Sequence, residues 1–236
     1  FLTGQLYVTA GFSGTVKISY TAYGEKNGTY KGTLSLKVST KTKSIYFNDV
    51  TASSYSWASD AVDFLRYNNV VNGTNNANTQ YSPKNSITRA HFMLMLYRAF
   101  LEEDYGDYKV TSNFADISKG TSDYSKELYQ AVGVAKYLGI TNGDGTNYNP
   151  NKNITREEAM ALIYRTLNEM DIDLEYTSTK DTGDFSDYSK VSSYAKDPIK
   201  YLIEHGVVVG DSGKINPKSN ITRAEMAVIL HRVLTY

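Results

Sequence analysis

One short pattern occurs three times in this chain at a constant interval. It reads Ile-Thr-Arg, with glutamate or histidine two residues after the arginine and an apolar run behind it, at residues 87–96, 154–163 and 221–230. The arginines are 67 residues apart in both intervals (156 − 89 and 223 − 156). A unit of this length buries little surface alone, so a repeat of this kind predicts units that share one core.

The start of each copy has the signature of a helix N-terminus. Thr155 with Glu158, and Thr222 with Glu225, match the capping box, in which threonine accepts a backbone N–H and glutamate accepts the threonine N–H. His91 replaces the glutamate in the first copy, so that cap is predicted to be weaker. Apolar residues follow at helical spacing. The pattern predicts three amphipathic helices with defined starts.

An arginine occupies the first helical position in every copy. A cation there is unfavourable by about 0.3–1 kcal/mol, because a helix N-terminus carries partial positive charge. Arg89, Arg156 and Arg223 are therefore interpreted as anion-binding residues, which take a carboxylate through two parallel hydrogen bonds. The alternative is that each arginine packs its stem on a neighbour and pairs its charge with a nearby aspartate.

The remaining parts of each unit recur in the same order. A Phe-x-Asp motif opens the unit, a first helix ends near a glycine, and a turn-rich loop with a proline leads to the capped helix. The first loop is longer, with 15 residues from glycine to threonine (88 − 73) against 12 in the others (155 − 143 and 222 − 210). The organisation predicted is three helix–loop–helix repeats at residues 47–112, 113–184 and 185–236.

Residues 1–46 have a different pattern. Val16, Ile18 and Tyr20 alternate with polar residues, as do the apolar residues of 34–38, and Asn27-Gly28 between them favours a hairpin turn. Two strands bury too little surface to be stable alone. We therefore expect residues 1–46 to be the last strands and the linker (41–44) of an upstream β-sandwich-like domain.

Composition excludes several classes of function. The formal net charge is zero, from 25 basic and 25 acidic residues, which argues against a nucleic-acid or anionic-membrane surface. Cysteine is absent, so neither disulfides nor thiol catalysis is expected. The three histidines are scattered and residues 142–148 lack the spacing of a calcium loop, so no metal and no cofactor are predicted. No nucleophile and base can be paired, and the chain is not expected to be an enzyme.

The three tandem units resemble the S-layer homology (SLH) family in their Phe-x-Asp opening, the tryptophan of the first unit, the loop glycine and the Ile-Thr-Arg-Ala-Glu motif. The resemblance covers residues 47–236. It implies a mainly α fold, in which three repeats form a pseudo-threefold, three-pronged spindle. It also implies an extracellular anchoring module of the bacterial cell surface or S-layer. Such a module binds secondary cell wall polysaccharide, often carrying a pyruvyl ketal, in grooves between repeats.

The resemblance also implies ligand-binding residues, transferred by motif position. They are the opening aspartates, the loop glycines, the motif arginines and two aromatic residues: Asp49, Asp116, Asp187, Gly73, Gly143, Gly210, Arg89, Arg156, Arg223, Trp57 and Tyr194. The aspartates and glycines have structural alternatives, as helix caps and as turn residues, and Trp57 has the alternative of a packing role. Counting back sixteen residues from the glycine of the second repeat gives Glu127, so that repeat is predicted to lack the aromatic residue.

Two whole-protein alternatives remain at this stage. The chain is part of an S-layer lattice protein, or it is the anchor of a surface hydrolase whose catalytic domain lies elsewhere in the polypeptide. Both share the same anchoring module and differ only in the upstream domains.

Overall fold

The computed structural model describes residues 14–23, 28–38, 42–175 and 178–235. Contacts divide the chain into two units, Phe1–Thr42 and Lys43–Tyr236. The helical unit thus begins slightly before residue 47, because Ser44 is buried within it. The Ser44 hydroxyl donates to Asp63 and accepts the backbone N–H of Phe47. Asn27 of the predicted turn and Lys41 of the predicted linker lie outside the described residues.

The first unit contains an antiparallel hairpin. Strand β1 (Gly14–Tyr23) pairs with β2 (Thr29–Val38). Val16 lies opposite Leu36 and Ile18 opposite Leu34, so the alternating apolar residues of both strands share one face. The strand prediction for these residues is confirmed.

The second unit is helical. Each repeat contributes an opening helix and a capped helix, which confirms the predicted helix–loop–helix order. The helices are α1 (Ser59–Tyr67), α2 (Arg89–Leu96), α3 (Glu102–Tyr105), α4 (Asp123–Tyr137), α5 (Arg156–Glu169), α6 (Lys196–Glu204) and α7 (Arg223–Leu234). Within the described ranges, no helix is long and apolar enough to cross a membrane.

The caps of α5 and α7 have the predicted reciprocal hydrogen bonds. The Thr155 hydroxyl accepts the N–H of Glu158 at 3.3 Å, and the Glu158 carboxylate accepts the N–H of Thr155 at 2.9 Å. At α2, Thr88 accepts the N–H of His91, but histidine returns no such bond. The helix continues past Leu96 through a π-helical turn (Tyr97–Leu101) into α3, and Leu101 is fully buried in the core.

Three isoleucines, one before each capped helix, join the repeats in a closed ring of backbone hydrogen bonds. Ile87 N–H donates to Ile221 C=O at 3.0 Å. Ile221 N–H donates to Ile154 C=O, and Ile154 N–H to Ile87 C=O, both at 3.1 Å. All three side chains are fully buried. The ring gives the unit its pseudo-threefold arrangement and places the start of every capped helix beside the next repeat.

Helix packing follows the same cyclic order. Each capped helix contacts the opening helix of the next repeat: α2 packs on α4, α5 on α6, and α7 on α1. The buried apolar side chains of residues 47–233 form a single cluster. The last repeat therefore closes on the first, and no repeat has a core of its own.

The opening aspartates fix the loops that precede the capped helices. The Asp187 carboxylate accepts the N–H groups of Ile215 at 2.9 Å and Asn216 at 2.8 Å, and Asp187 is only 6% exposed. The equivalent bonds join Asp116 to Tyr148 and Asn149, and Asp49 to Tyr81 and Ser82. Two backbone donors on one carboxylate determine the course of each loop.

We expect the ring to make three repeats the smallest folding unit. A chain of residues 43–235 should melt in one cooperative transition, whereas residues 43–184 lose two of the three isoleucine bonds and the partner of α1. This shorter chain should show no cooperative melting by circular dichroism. A sharp transition in the two-repeat chain would contradict the shared core.

We also expect Asp187→Ala to destabilise the fold. Hydrogen bonds to a charged group contribute roughly 1.5–3 kcal/mol each, so losing two should cost about 3 kcal/mol in the free energy of unfolding. Asp173→Ala, in an exposed part of a connector, is the matched control and should change it by less than about 0.5 kcal/mol. Equal midpoints of urea denaturation in the two variants would refute the role of Asp187.

Candidate functional site

Three equivalent grooves lie where the repeats meet, and all three repeats contribute to each. Groove 1 is lined by Asn72, Gly73, His91, Arg98, Tyr124 and Arg223, among others. Groove 2 is lined by Asn142, Gly143, Glu158, Arg165, Tyr194 and Arg89, among others. Groove 3 is lined by Gly210, Asp211, Glu225, Arg232, Trp57 and Arg156, among others.

Each groove is named after the repeat that supplies its loop glycine, and it contains two arginines. The first is the motif arginine of the repeat that comes before the groove's own in the cyclic order. Its Nε donates to a backbone carbonyl of the loop that the opening aspartate holds, and in two cases its guanidinium covers a buried tyrosine ring. These bonds run from Arg89 to Tyr148 C=O at 2.8 Å, and from Arg156 to Ile215 C=O and Arg223 to Tyr81 C=O at 2.7 Å. The cation is tolerated at a helix start because its charge reaches across to the next repeat.

Two of the first arginines meet the capping glutamate of the next repeat. Arg156 lies 3.1 Å from Glu225, and Arg89 lies 3.7 Å from Glu158. The acidic partner foreseen as an aspartate is thus a glutamate, which caps its own helix as well. In the same cyclic order Arg223 faces the first repeat, where His91 replaces the glutamate.

His91 leaves groove 1 with a different charge. His91 is exposed, but partial desolvation of its imidazole lowers its pKa below the ordinary value, and the neighbouring Arg223 and Arg98 lower it further, so the uncharged form predominates at pH 7. Within the described residues, Arg223 has no carboxylate at ion-pair distance. Its Nη2 donates instead to Asn72 C=O at 3.1 Å.

A second arginine enters each groove from the capped helix of the groove's own repeat. The sequence has it nine residues after the motif arginine, at Arg98, Arg165 and Arg232. Arg98 makes a two-pronged pair with Glu127, at 2.5 and 2.6 Å. Arg165 donates to Ile140 C=O at 3.2 Å, and Arg232 to Val207 C=O at 2.9 Å. Their regular spacing was visible, but sequence reasoning did not assign them to the site.

Each groove also has an aromatic side chain from the following repeat. Trp57 lines groove 3 and is 58% exposed. Tyr194 lines groove 2, where its hydroxyl donates to Glu157 at 3.2 Å. In the second repeat Glu127 stands at the counted position, and the aromatic residue that lines groove 1 is Tyr124, at a different position. Tyr124 precedes Glu127 by about one helical turn, and α4 already includes it, whereas the helices of the other repeats begin later.

The loop glycines line the grooves at positions that other residues fit poorly. Gly143 and Gly210 have φ angles of +55° and +67°, and an added Cβ would lie within 3 Å of a neighbouring backbone oxygen. Gly73 has no positive φ, but a Cβ there would approach the Asn78 backbone at 2.8 Å. The opening aspartates do not appear among the lining residues of the three grooves. Ligand contact by the glycines and aspartates stays a prediction.

The geometry of groove 1 can be tested through the pKa of His91. We expect Arg223→Met to raise it, because removing a nearby cation favours the imidazolium, while partial desolvation and Arg98 keep the pKa below the ordinary 6.5. An NMR titration of the histidine ring protons measures the change. His231 is an internal control, because its charged neighbours are Asp60 and Arg232. An unchanged His91 pKa would show that Arg223 does not face this ring.

Comparison with known proteins gives a consistent family. The model of the S-layer homology domain matches residues 46–93, 114–160 and 184–227, together more than half of the chain. An amylopullulanase from Thermoanaerobacterium thermosulfurigenes is 32% identical over 190 residues, covering 80% of this chain and 9% of the relative. The exoglucanase XynX from Acetivibrio thermocellus is 31% identical over 200 residues, covering 81% of this chain and 16% of the relative.

An S-layer relative has a similar match. The surface-layer 125 kDa protein of Lysinibacillus sphaericus is 30% identical over 183 residues, covering 75% of this chain and 14% of the relative. The chain thus spans less than a fifth of each of these three relatives. With three matched repeats joined in one ring, it belongs to the S-layer homology domain family, whose members anchor surface proteins to the bacterial cell wall.

Proposed function

We propose that this chain holds its polypeptide on the wall by binding an acidic secondary cell wall polysaccharide in the grooves between repeats, with a pyruvyl ketal as the recognised group. The observation that carries the proposal is the recurring composition of the grooves. Each combines two arginines, an aromatic ring and a loop glycine, drawn from three different repeats.

The arginines favour a carboxylate over a neutral sugar. The net charge of the whole chain is zero, yet arginine is the only basic residue type in the groove linings apart from His91. A guanidinium offers paired N–H donors that match the two oxygens of a carboxylate. A pyruvyl ketal supplies this group at a fixed position on a sugar ring.

The other groove residues suit a carbohydrate. Exposed aromatic rings offer a flat apolar face, and the glycine loops present backbone N–H and C=O groups for hydroxyls. Groove 1 and groove 2 each have a volume of about 310 Å³. That is at the lower end of the roughly 300–1,000 Å³ of small-ligand sites.

The function of the whole polypeptide is a separate proposal. Relatives include both named enzymes and S-layer proteins, and the matched part is a small share of each. We infer an anchor for domains outside this chain, either a surface hydrolase or an S-layer lattice protein. No catalytic role is proposed for residues 43–235.

The proposal predicts that affinity depends on the ketal. We expect the chain to bind purified wall polysaccharide by calorimetry, and to lose at least about tenfold in affinity when mild acid removes the pyruvyl groups, since 1.4 kcal/mol corresponds to tenfold. Added salt should also weaken binding to the intact polymer. Peptidoglycan without the polymer is the control, and equal affinity for all three preparations would contradict the proposal.

A further inference from the structure

Groove 1 and groove 2 neutralise their arginines in opposite ways. In groove 2 the first arginine, Arg89, has Glu158 as its partner, with an Nη1–Oε1 separation of 3.7 Å. The second, Arg165, has no carboxylate at ion-pair distance within the described residues, and its Nη1 donates to the Ile140 carbonyl. In groove 2 the guanidinium without a carboxylate partner among the described residues is therefore that of Arg165 on α5, which lines the groove together with Tyr194.

In groove 1 the arrangement is reversed. The second arginine, Arg98, is held by both oxygens of Glu127. The first, Arg223, has His91 in place of a glutamate, and among the described residues it donates to the carbonyls of Tyr81 and Asn72. Glu127 stands at the sequence position that Tyr194 occupies in the third repeat, sixteen residues before the loop glycine (143 − 127 and 210 − 194). Groove 1 thus lacks a carboxylate at His91 but has one at Glu127, where it pairs with the second arginine instead of the first.

We propose that the two grooves hold a sugar carboxylate on different arginines, Arg223 in groove 1 and Arg165 in groove 2. This inference rests on the proposed function. A guanidinium has five N–H donors, and each of these two arginines retains donors for a ligand. A paired arginine would first have to leave its glutamate, which also repels an incoming anion.

The two grooves would then contact different sides of the same sugar. A carboxylate on Arg223 lies next to His91 and the Asn72–Gly73 loop, whereas one on Arg165 lies next to Tyr194. The two grooves have similar volumes, so charge rather than size distinguishes them. One acidic sugar therefore enters the two grooves in different orientations. Groove 3, whose lining includes Asp211 and Glu225, is outside this proposal.

The first test is His91→Glu, which restores the motif glutamate. The new carboxylate completes the capping box with Thr88 and pairs with Arg223, so the melting temperature should rise. Groove 1 should meanwhile bind an acidic sugar about tenfold more weakly, because the new glutamate neutralises the Arg223 guanidinium. The probe is a methyl glycoside bearing a pyruvyl ketal, with its methyl ester as the uncharged control. Amide shifts of Asn72 and Gly73 report on groove 1, and those of Asn142 and Gly143 on groove 2.

The second test compares the two arginines of groove 2. Lysine keeps the charge and most of the stem but lacks the planar fork. Arg165→Lys should lower the affinity of groove 2 for the probe by about tenfold, and Arg89→Lys should lower it by clearly less. Arg66→Lys, outside all three grooves, is the matched control, and melting temperatures identify any variant that binds poorly because it is unfolded.

The outcomes separate this inference from the proposed function. If the wild-type chain binds acid and ester equally, the proposed function fails and this inference with it. If the acid is preferred but Arg89→Lys weakens groove 2 more than Arg165→Lys, only the inference is overturned. A raised melting temperature in His91→Glu with unchanged groove 1 affinity overturns the assignment of Arg223.

Discussion

The closed ring of backbone hydrogen bonds among Ile87, Ile154 and Ile221 is the constraint on which the helical unit depends. It places each capped helix against the next repeat, and the helix contacts follow the same cyclic order. The grooves arise from this order, because each motif arginine must project into the repeat that follows its own. The same ring of backbone hydrogen bonds therefore organises both the shared core and the grooves.

Charge distribution then makes the three grooves unequal on a nearly symmetric frame. The capping glutamates serve both their own helix and the arginine of the preceding repeat, as Glu225 does for Arg156. Where His91 breaks this rule, one helix loses its reciprocal cap and one arginine loses its carboxylate. The weaker cap of α2 and the distinct electrostatics of groove 1 thus have the same cause.

Sequence reasoning reached the features whose signals are local. The 67-residue interval, the capping boxes and the strand alternation predicted the repeats, the helix starts and the hairpin. Pairing between repeats was out of reach, because Arg89 and Glu158 are 69 residues apart (158 − 89) and meet only when the ring closes. Tyr124 was missed because counting from the glycine assumes equal helices, whereas α4 has 15 residues and α1 has nine.

The composite walls of the grooves also constrain how such a module can evolve. Groove 2 takes Arg89 from the first repeat, Arg165 from the second and Tyr194 from the third. Each repeat contributes side chains to all three grooves, so changes spread over one repeat alter a wall in every groove. Circular permutation would keep all neighbours, whereas exchanging two repeats would reverse the cyclic order and recombine the walls of all three. The cyclic order of the repeats therefore determines which side chains line each groove.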